Sequence, residues 1–264
     1  MDEKHSRTLK RSGLFFGTTF ICIGALVAAL VLAVVAQREA VAPKTGPKTY
    51  STVATGRYAD AEFPRIQSSC NSTEVEFLSK AFDETIEATS YAMSVLTSND
   101  SVVESEVYKR WFGDGKLYEV MGVVEGIANV SKTSLLLRCD DADGLCKKYQ
   151  NYYAGHHRED HPYETVICDY FYEARVPLSA MCTKGNLTQY GPKKYYGIDM
   201  LHRYFHVPSI TQNEFISEFT EELNETLALA KDNSSFAVRN VDNYLYFLAD
   251  LWGNKVKKGG CFDN

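Results

Sequence analysis

The chain has 264 residues, 45% apolar and 23% charged, with a formal net charge of −6. This composition excludes wholesale disorder and collagen-like repeats, and the length allows one large core. An acidic balance without a Lys/Arg stripe interleaved with aromatics excludes a whole-chain nucleic-acid binder.

Residues 1–13 carry Lys4, Arg7, Lys10 and Arg11 and read as a cytosolic tail. Residues 14–36, LFFGTTFICIGALVAALVLAVVA, hold no charge. A spanning helix needs about 20 such residues, whereas the apolar core of a secretory leader runs about 7–15. The segment is therefore expected to be one N-terminal transmembrane helix, an uncleaved signal anchor. Cleavage after Ala36, which would release a secreted chain, is the alternative. Residues 37–62 include Pro43 and Pro47, show no apolar period and read as a stalk. Residues 63–264 form the remaining domain.

Six sequons lie beyond the apolar run, at Asn71, Asn99, Asn129, Asn186, Asn224 and Asn233. Cys22 falls inside the run, which leaves an even six: Cys70, Cys139, Cys146, Cys168, Cys182 and Cys261. They lack the paired CxxC of a zinc ribbon, so three disulfides in an oxidising compartment are expected, with the pairing left open. The sequons and cysteines place the C-terminal domain outside the cytosol, at the cell surface or in the secretory pathway.

Within the domain, Thr73 and Glu76 are spaced as a capping box. Val75, Leu78, Phe82 and Ile86 follow at helical intervals. Residues 105–112 read as a shorter helix, and residues 134–139 and 165–172 as β-type runs. Between these runs lies a loop with Tyr149, Tyr152, Tyr153, His156, His157 and His161. Its histidines read as solvated, a second metal site being the alternative. Asp140, Asp141 and Asp143 lack the terminal Glu of a calcium loop and read as a turn held by Cys139 and Cys146. Helices are expected over 198–206, 214–232 and 240–252. One helix, a few strands, then helices make an α+β domain, mainly helical with a small sheet.

The chemistry concentrates in Asp199-Met-Leu-His202-Arg203-Tyr-Phe-His206. Histidines at i and i+4 share one helix face, so both imidazoles reach one Zn²⁺ at about 2.0–2.1 Å. The pattern is H-E-x-x-H with Arg203 in place of the Glu. A third ligand is needed. On a helix whose stripe is Phe215, Phe219, Leu223, Leu227 and Ala230, periodicity favours Glu222, with Glu218 on its flank.

This segment resembles the fungal HRxxH family of zincin-like, secreted or wall-associated proteins, which includes pH-regulated antigens and a mould allergen. The resemblance is carried also by Phe63-Pro64, Cys70-Asn71-Ser-Thr, Arg110-Trp-Phe-Gly113, Leu137-Arg-Cys-Asp-Asp141, Val166-Ile-Cys-Asp169 and Ala237-Val-Arg-Asn240. It implies a zincin-like, metalloprotease-type domain that binds zinc at the cell surface, with other surface or host proteins as further partners. Relatives carry a His after the motif, and matching Phe219 to its aromatic neighbour puts Glu218 at that position. The expected ligands are thus His202, His206 and Glu218. Glu225 corresponds to a family acid and is the candidate for proton transfer. The chain ends at Asn264 without the His- and Cys-rich tail of zincophore members.

In zincin peptidases the motif Glu serves as general base toward the attacking water. Arg stays charged and cannot do so; it can pair instead with Asp199, four residues earlier. The expectation is a zinc-binding protein without ordinary peptidase activity. An active metallopeptidase using another acid, and a metal-free adhesion or structural module, are the alternatives.

Overall fold

The computed structural model describes residues 62–98 and 100–262. The expected tail, membrane segment and most of the stalk, as well as Asn99, lie outside the described residues. Among the described residues no helix is long and apolar enough to cross a membrane.

The elements in chain order are β1 (Arg65–Ile66), α1 (Ser72–Leu96), α2 (Glu106–Phe112), α3 (Leu117–Asn129), β2 (Leu136–Arg138), β3 (Gly155–Arg158), β4 (His161–Ile167), α4 (Tyr196–Tyr204), α5 (Leu223–Asp232) and α6 (Val241–Val256). Helical turns of three to six residues join them. The fold is α+β, mainly helical with a small sheet.

The sheet runs β1-β2-β4-β3, with β1, β2 and β4 parallel and β3 antiparallel at the edge. The β-type runs at 134–139 and 165–172 overlap β2 and β4, but residues Asp169–Ala174 are helical. The tyrosine- and histidine-rich stretch is no loop throughout. His156 and His157 belong to β3 and His161 opens β4. Gly155 allows this edge to close over the core. A Cβ there would meet the Val166 carbonyl oxygen at 2.4 Å and an Arg203 guanidinium nitrogen at 2.8 Å.

Helix α1 buries Leu78, Ala81, Phe82, Thr85, Ile86, Thr89, Ala92, Met93 and Leu96, the three-and-four spacing of one helix face. Its capping box sits two residues earlier than the sequence suggests. The Asn71 side chain accepts from the Thr73 and Glu74 amides, and the Asn71 amide donates to Glu74 Oε2 at 2.6 Å. Ser105 caps α2 by accepting from the Tyr108 amide. The face of α1 packs on α3, α4 and α6.

Helix α6 is buried continuously from Val241 to Gly253, so it forms the centre of the helical layer. Its polar residues are satisfied across the core. Asn243 donates to the Trp111 and Thr226 carbonyls, and Asp250 accepts from Arg110 and the Trp111 indole. Three disulfides close the domain: Cys70–Cys139, Cys146–Cys168 and Cys182–Cys261. Cys139 and Cys146 therefore do not clasp the aspartate turn between them. Asp141 shapes it instead, accepting from the Cys146 and Lys147 amides.

Candidate metal centre

Helix α4 carries Asp199, His202 and Arg203, and His206 follows in the turn after it. One residue further round a helix is a rotation of about 100°, so a residue next to His202 leaves the histidine face. Arg203 does so. Its side chain is 5% exposed, donates to Asp199 Oδ2 at 2.8 Å and lies over the Phe171 ring. Arg175 donates to the other Asp199 oxygen at 3.3 Å. These two cations hold the Asp199 carboxyl below its ordinary range against the opposing effect of burial.

The two histidines converge, with Nε2 atoms 3.4 Å apart. Glu218 Oε1 lies 3.3 Å from His202 Nε2. The ligating atoms of all three lie within 4.8 Å of one another. Burial pushes His202 well below the usual histidine range, aided by the nearby Lys193. His206 falls to about 4, chiefly through burial and then through His157. Both rings are thus kept neutral, the state a metal ligand requires. The His157 ring, from the edge strand, stacks on His206 at 4.8 Å between centroids.

Glu218 does not reach this place on a helix. Gln212, Asn213 and Glu214 all take left-handed φ values, +53°, +55° and +71°, which stops the helix expected over 214–232. The chain then runs as an irregular, non-helical segment, with Ser217 bridged to Asn240 in parallel. The Asn240 side chain holds this segment. Its Oδ1 accepts from the Phe219 and Thr220 amides at 2.8 and 3.2 Å, and its Nδ2 donates to the Thr220 carbonyl at 3.0 Å. Helix begins only at Leu223, so the wheel that favoured Glu222 does not exist. Glu222 is an exposed N-terminal flank of α5, and Phe215 and Phe219 are exposed rather than core residues.

Glu225 is not in the cluster. It is exposed in the first turn of α5 and accepts from the Thr220 hydroxyl at 2.7 Å. A second group adjoins the first through Glu218: Glu218, Glu221 and Asp242 also have oxygens within 4.8 Å of one another. Lys193 reaches into it, 3.0 Å from Glu221 and 3.4 Å from Asp242. Burial raises the Asp242 carboxyl to about 7, with Lys193 working against the rise. Neither Lys193 nor Asp242 stood out in the sequence. The available signal was Asp242-Asn243 directly before the apolar run Tyr244–Ala249. The cysteine-containing clusters, with His156 or Glu74, are taken up by disulfides.

The fold matches that of a zinc peptidase from Grifola frondosa, with a TM-score of 0.51 and 16% identity over 69% of this chain and 97% of that chain. The two chains therefore share a fold. The chain belongs to the HRXXH family, described as "Putative peptidase family", whose model matches residues 18–264. It is 45% identical to protein ZPS1 of Saccharomyces cerevisiae, covering 83% of this chain and 92% of that protein. It is 32% identical to the pH-regulated antigen PRA1 of Candida albicans and 30% to the major allergen Asp f 2 of Aspergillus fumigatus. These matches cover 74% and 76% of this chain, and each spans 64% of the relative's length.

Proposed function

We propose that this chain binds one zinc ion through His202, His206 and Glu218, and that it does not hydrolyse peptides in the ordinary zincin manner. One observation carries the first statement. Two ligands about 2.05 Å from one ion at the tetrahedral angle lie about 3.3 Å apart. The His202–His206 and His202–Glu218 separations are 3.4 and 3.3 Å. Three protein ligands of this kind leave the fourth zinc position open. When bound, zinc would act there as a Lewis acid toward an incoming oxygen or nitrogen donor.

The second statement rests on where the acids and Arg203 sit. The motif position that supplies the base in a hydrolase is a guanidinium turned into the core. Glu225, the alternative acid, is exposed and engaged by Thr220 rather than gathered with the histidines.

The test is metal analysis of purified protein. Wild type should carry one zinc per chain, and the His202→Ala, His206→Ala double variant none. Equal zinc content in the two would overturn the site. Zinc-dependent cleavage of an unstructured protein by wild type, lost in His206→Ala, would overturn the second statement.

We also propose that residues 14–36 anchor the chain in a membrane with the described domain outside the cytosol, at the cell surface or in the secretory pathway. Three disulfides and the sequons support this reading. Enzymatic removal of N-glycans should shift the electrophoretic mobility of the expressed chain, and an unchanged mobility counts against it.

A further inference from the structure

The acids beside the histidines are more numerous than one zinc site needs. Glu218 and Glu221 come from the irregular segment before α5, Asp242 from the start of α6, and Lys193 from the turn before α4. Three separate parts of the chain thus bring three carboxylates and one ammonium together. The Asp242 side chain is 2% exposed, so its carboxylate, when ionised, is almost fully removed from water. A buried charge of this kind needs a counter-ion or a metal. Lys193 provides one charge, 3.4 Å from Asp242 Oδ1, but Asp242 Oδ2 is buried with no hydrogen-bond partner. The ammonium therefore leaves part of the cluster's acceptor capacity unused.

An ammonium is a compact point charge and occupies the kind of place a metal cation does. Clustered carboxylate oxygens are the donor set of divalent cations such as Mg²⁺, Ca²⁺ and Mn²⁺, and carboxylates also bind Zn²⁺. Glu218 belongs to both groups, so its two oxygens can serve two ions. Carboxylate-bridged pairs of ions about 3.5–4 Å apart are a common arrangement in metalloenzymes.

We propose that Glu218, Glu221 and Asp242 form a second divalent-cation site, and that the Lys193 ammonium fills it, so that the centre holds one metal ion rather than two. This rests on the zinc reading of His202, His206 and Glu218 for the first ion. Lys193 is then the residue that sets metal stoichiometry. Its removal leaves a vacant all-oxygen site next to a loaded one.

The experiment is equilibrium dialysis of the full-length chain against saturating Zn²⁺, followed by metal analysis. Wild type should hold one zinc, Lys193→Met two, and Lys193→Arg one, because the cation is restored. Adding Asp242→Asn to Lys193→Met should return the count to one. A folded Lys193→Met that holds one zinc overturns the proposal. A wild type that holds none overturns the first site instead, so the two failures are distinct. A measurement on wild type avoids dependence on the variant's folding. Amine acylation read by mass spectrometry should modify Lys193 more slowly than exposed Lys147 in the zinc-loaded chain. Equal rates would mean that the ammonium does not occupy the cluster.

Discussion

At the scale of single residues, the His202–His206–Glu218 cluster depends on Asn240. Asn240 is fully buried and makes three hydrogen bonds to the backbone around Phe219 and Thr220. Asn240→Ala leaves those groups unpaired, at about 1–3 kcal/mol for a buried donor or acceptor. It also frees the segment that delivers Glu218. The expected outcome is a lower midpoint in urea together with weaker zinc binding in a chelator competition. A variant that unfolds earlier yet binds zinc as tightly as wild type would show that Glu218 needs no such support. The gathering of His202, His206 and Glu218 was legible in the sequence, the pair by its spacing and Glu218 by family resemblance; their role as zinc ligands is the proposal. Asn240, Lys193 and Asp242 were not legible, because their roles come from long-range packing that no local period records. His157 was visible only as one of three polar histidines, since nothing local says that its strand would lie against His206.

At the scale of elements, α4 shows why one motif serves two purposes. Its outer face carries His202, with His206 in the turn after it, and its inner face carries Asp199 and Arg203, which Arg175 joins from outside the helix, beneath the sheet edge. Arg203→Glu restores the hydrolytic motif in sequence only. In the fold it sets a second carboxylate beside buried Asp199 and removes one of that residue's two cations. Breaking a buried pair costs about 3–5 kcal/mol, and the new repulsion adds to it. Chemical unfolding should show a large loss of stability with no gain of peptidase turnover; a stable, proteolytic Arg203→Glu would contradict this placement. The helix over 198–206 was readable because its spacing is regular. The helix over 214–232 was over-extended, because apolar spacing at Phe215 and Phe219 cannot reveal three consecutive left-handed residues before them. Helix α3 was passed over, although its valines repeat on one buried face.

At the scale of the whole molecule, pH acts on stability through a part-buried carboxyl on α1, Glu84. Glu84 links α1 to α4, accepting from the Leu178 amide at 3.0 Å and lying against Gly197. Burial raises its carboxyl to about 7 from 4.5, with the Leu178 amide opposing. A raised folded-state value means that the folded chain binds more protons than the unfolded chain between pH 4.5 and 7. Glu84 therefore favours folding increasingly as pH falls from 7 toward 4.5, by about 1–2 kcal/mol once partial exposure is allowed for. Glu84→Gln should flatten that part of the stability profile measured from pH 8 to 5; an identical slope would remove Glu84 as its source. The α+β class and the number of disulfides followed from composition and order of elements, whereas the pairing of cysteines 69, 22 and 79 residues apart required the folded chain. The cap on α1 has a practical consequence for anyone removing sugars by mutation. Asn71 opens a sequon, yet its Oδ1 holds the first turn of a 25-residue helix. Its side-chain Nδ2, the atom a glycan would occupy, takes no part in the cap, which uses the backbone N–H and Oδ1, so attachment and capping are compatible. Asn71→Gln therefore deletes two things together, a glycosylation acceptor and about 1 kcal/mol of helix capping. Thr73→Ala deletes the acceptor signal alone, because only the Thr73 backbone serves the cap. A fall in yield seen with the first variant and not with the second should be credited to the helix, not to the sugar.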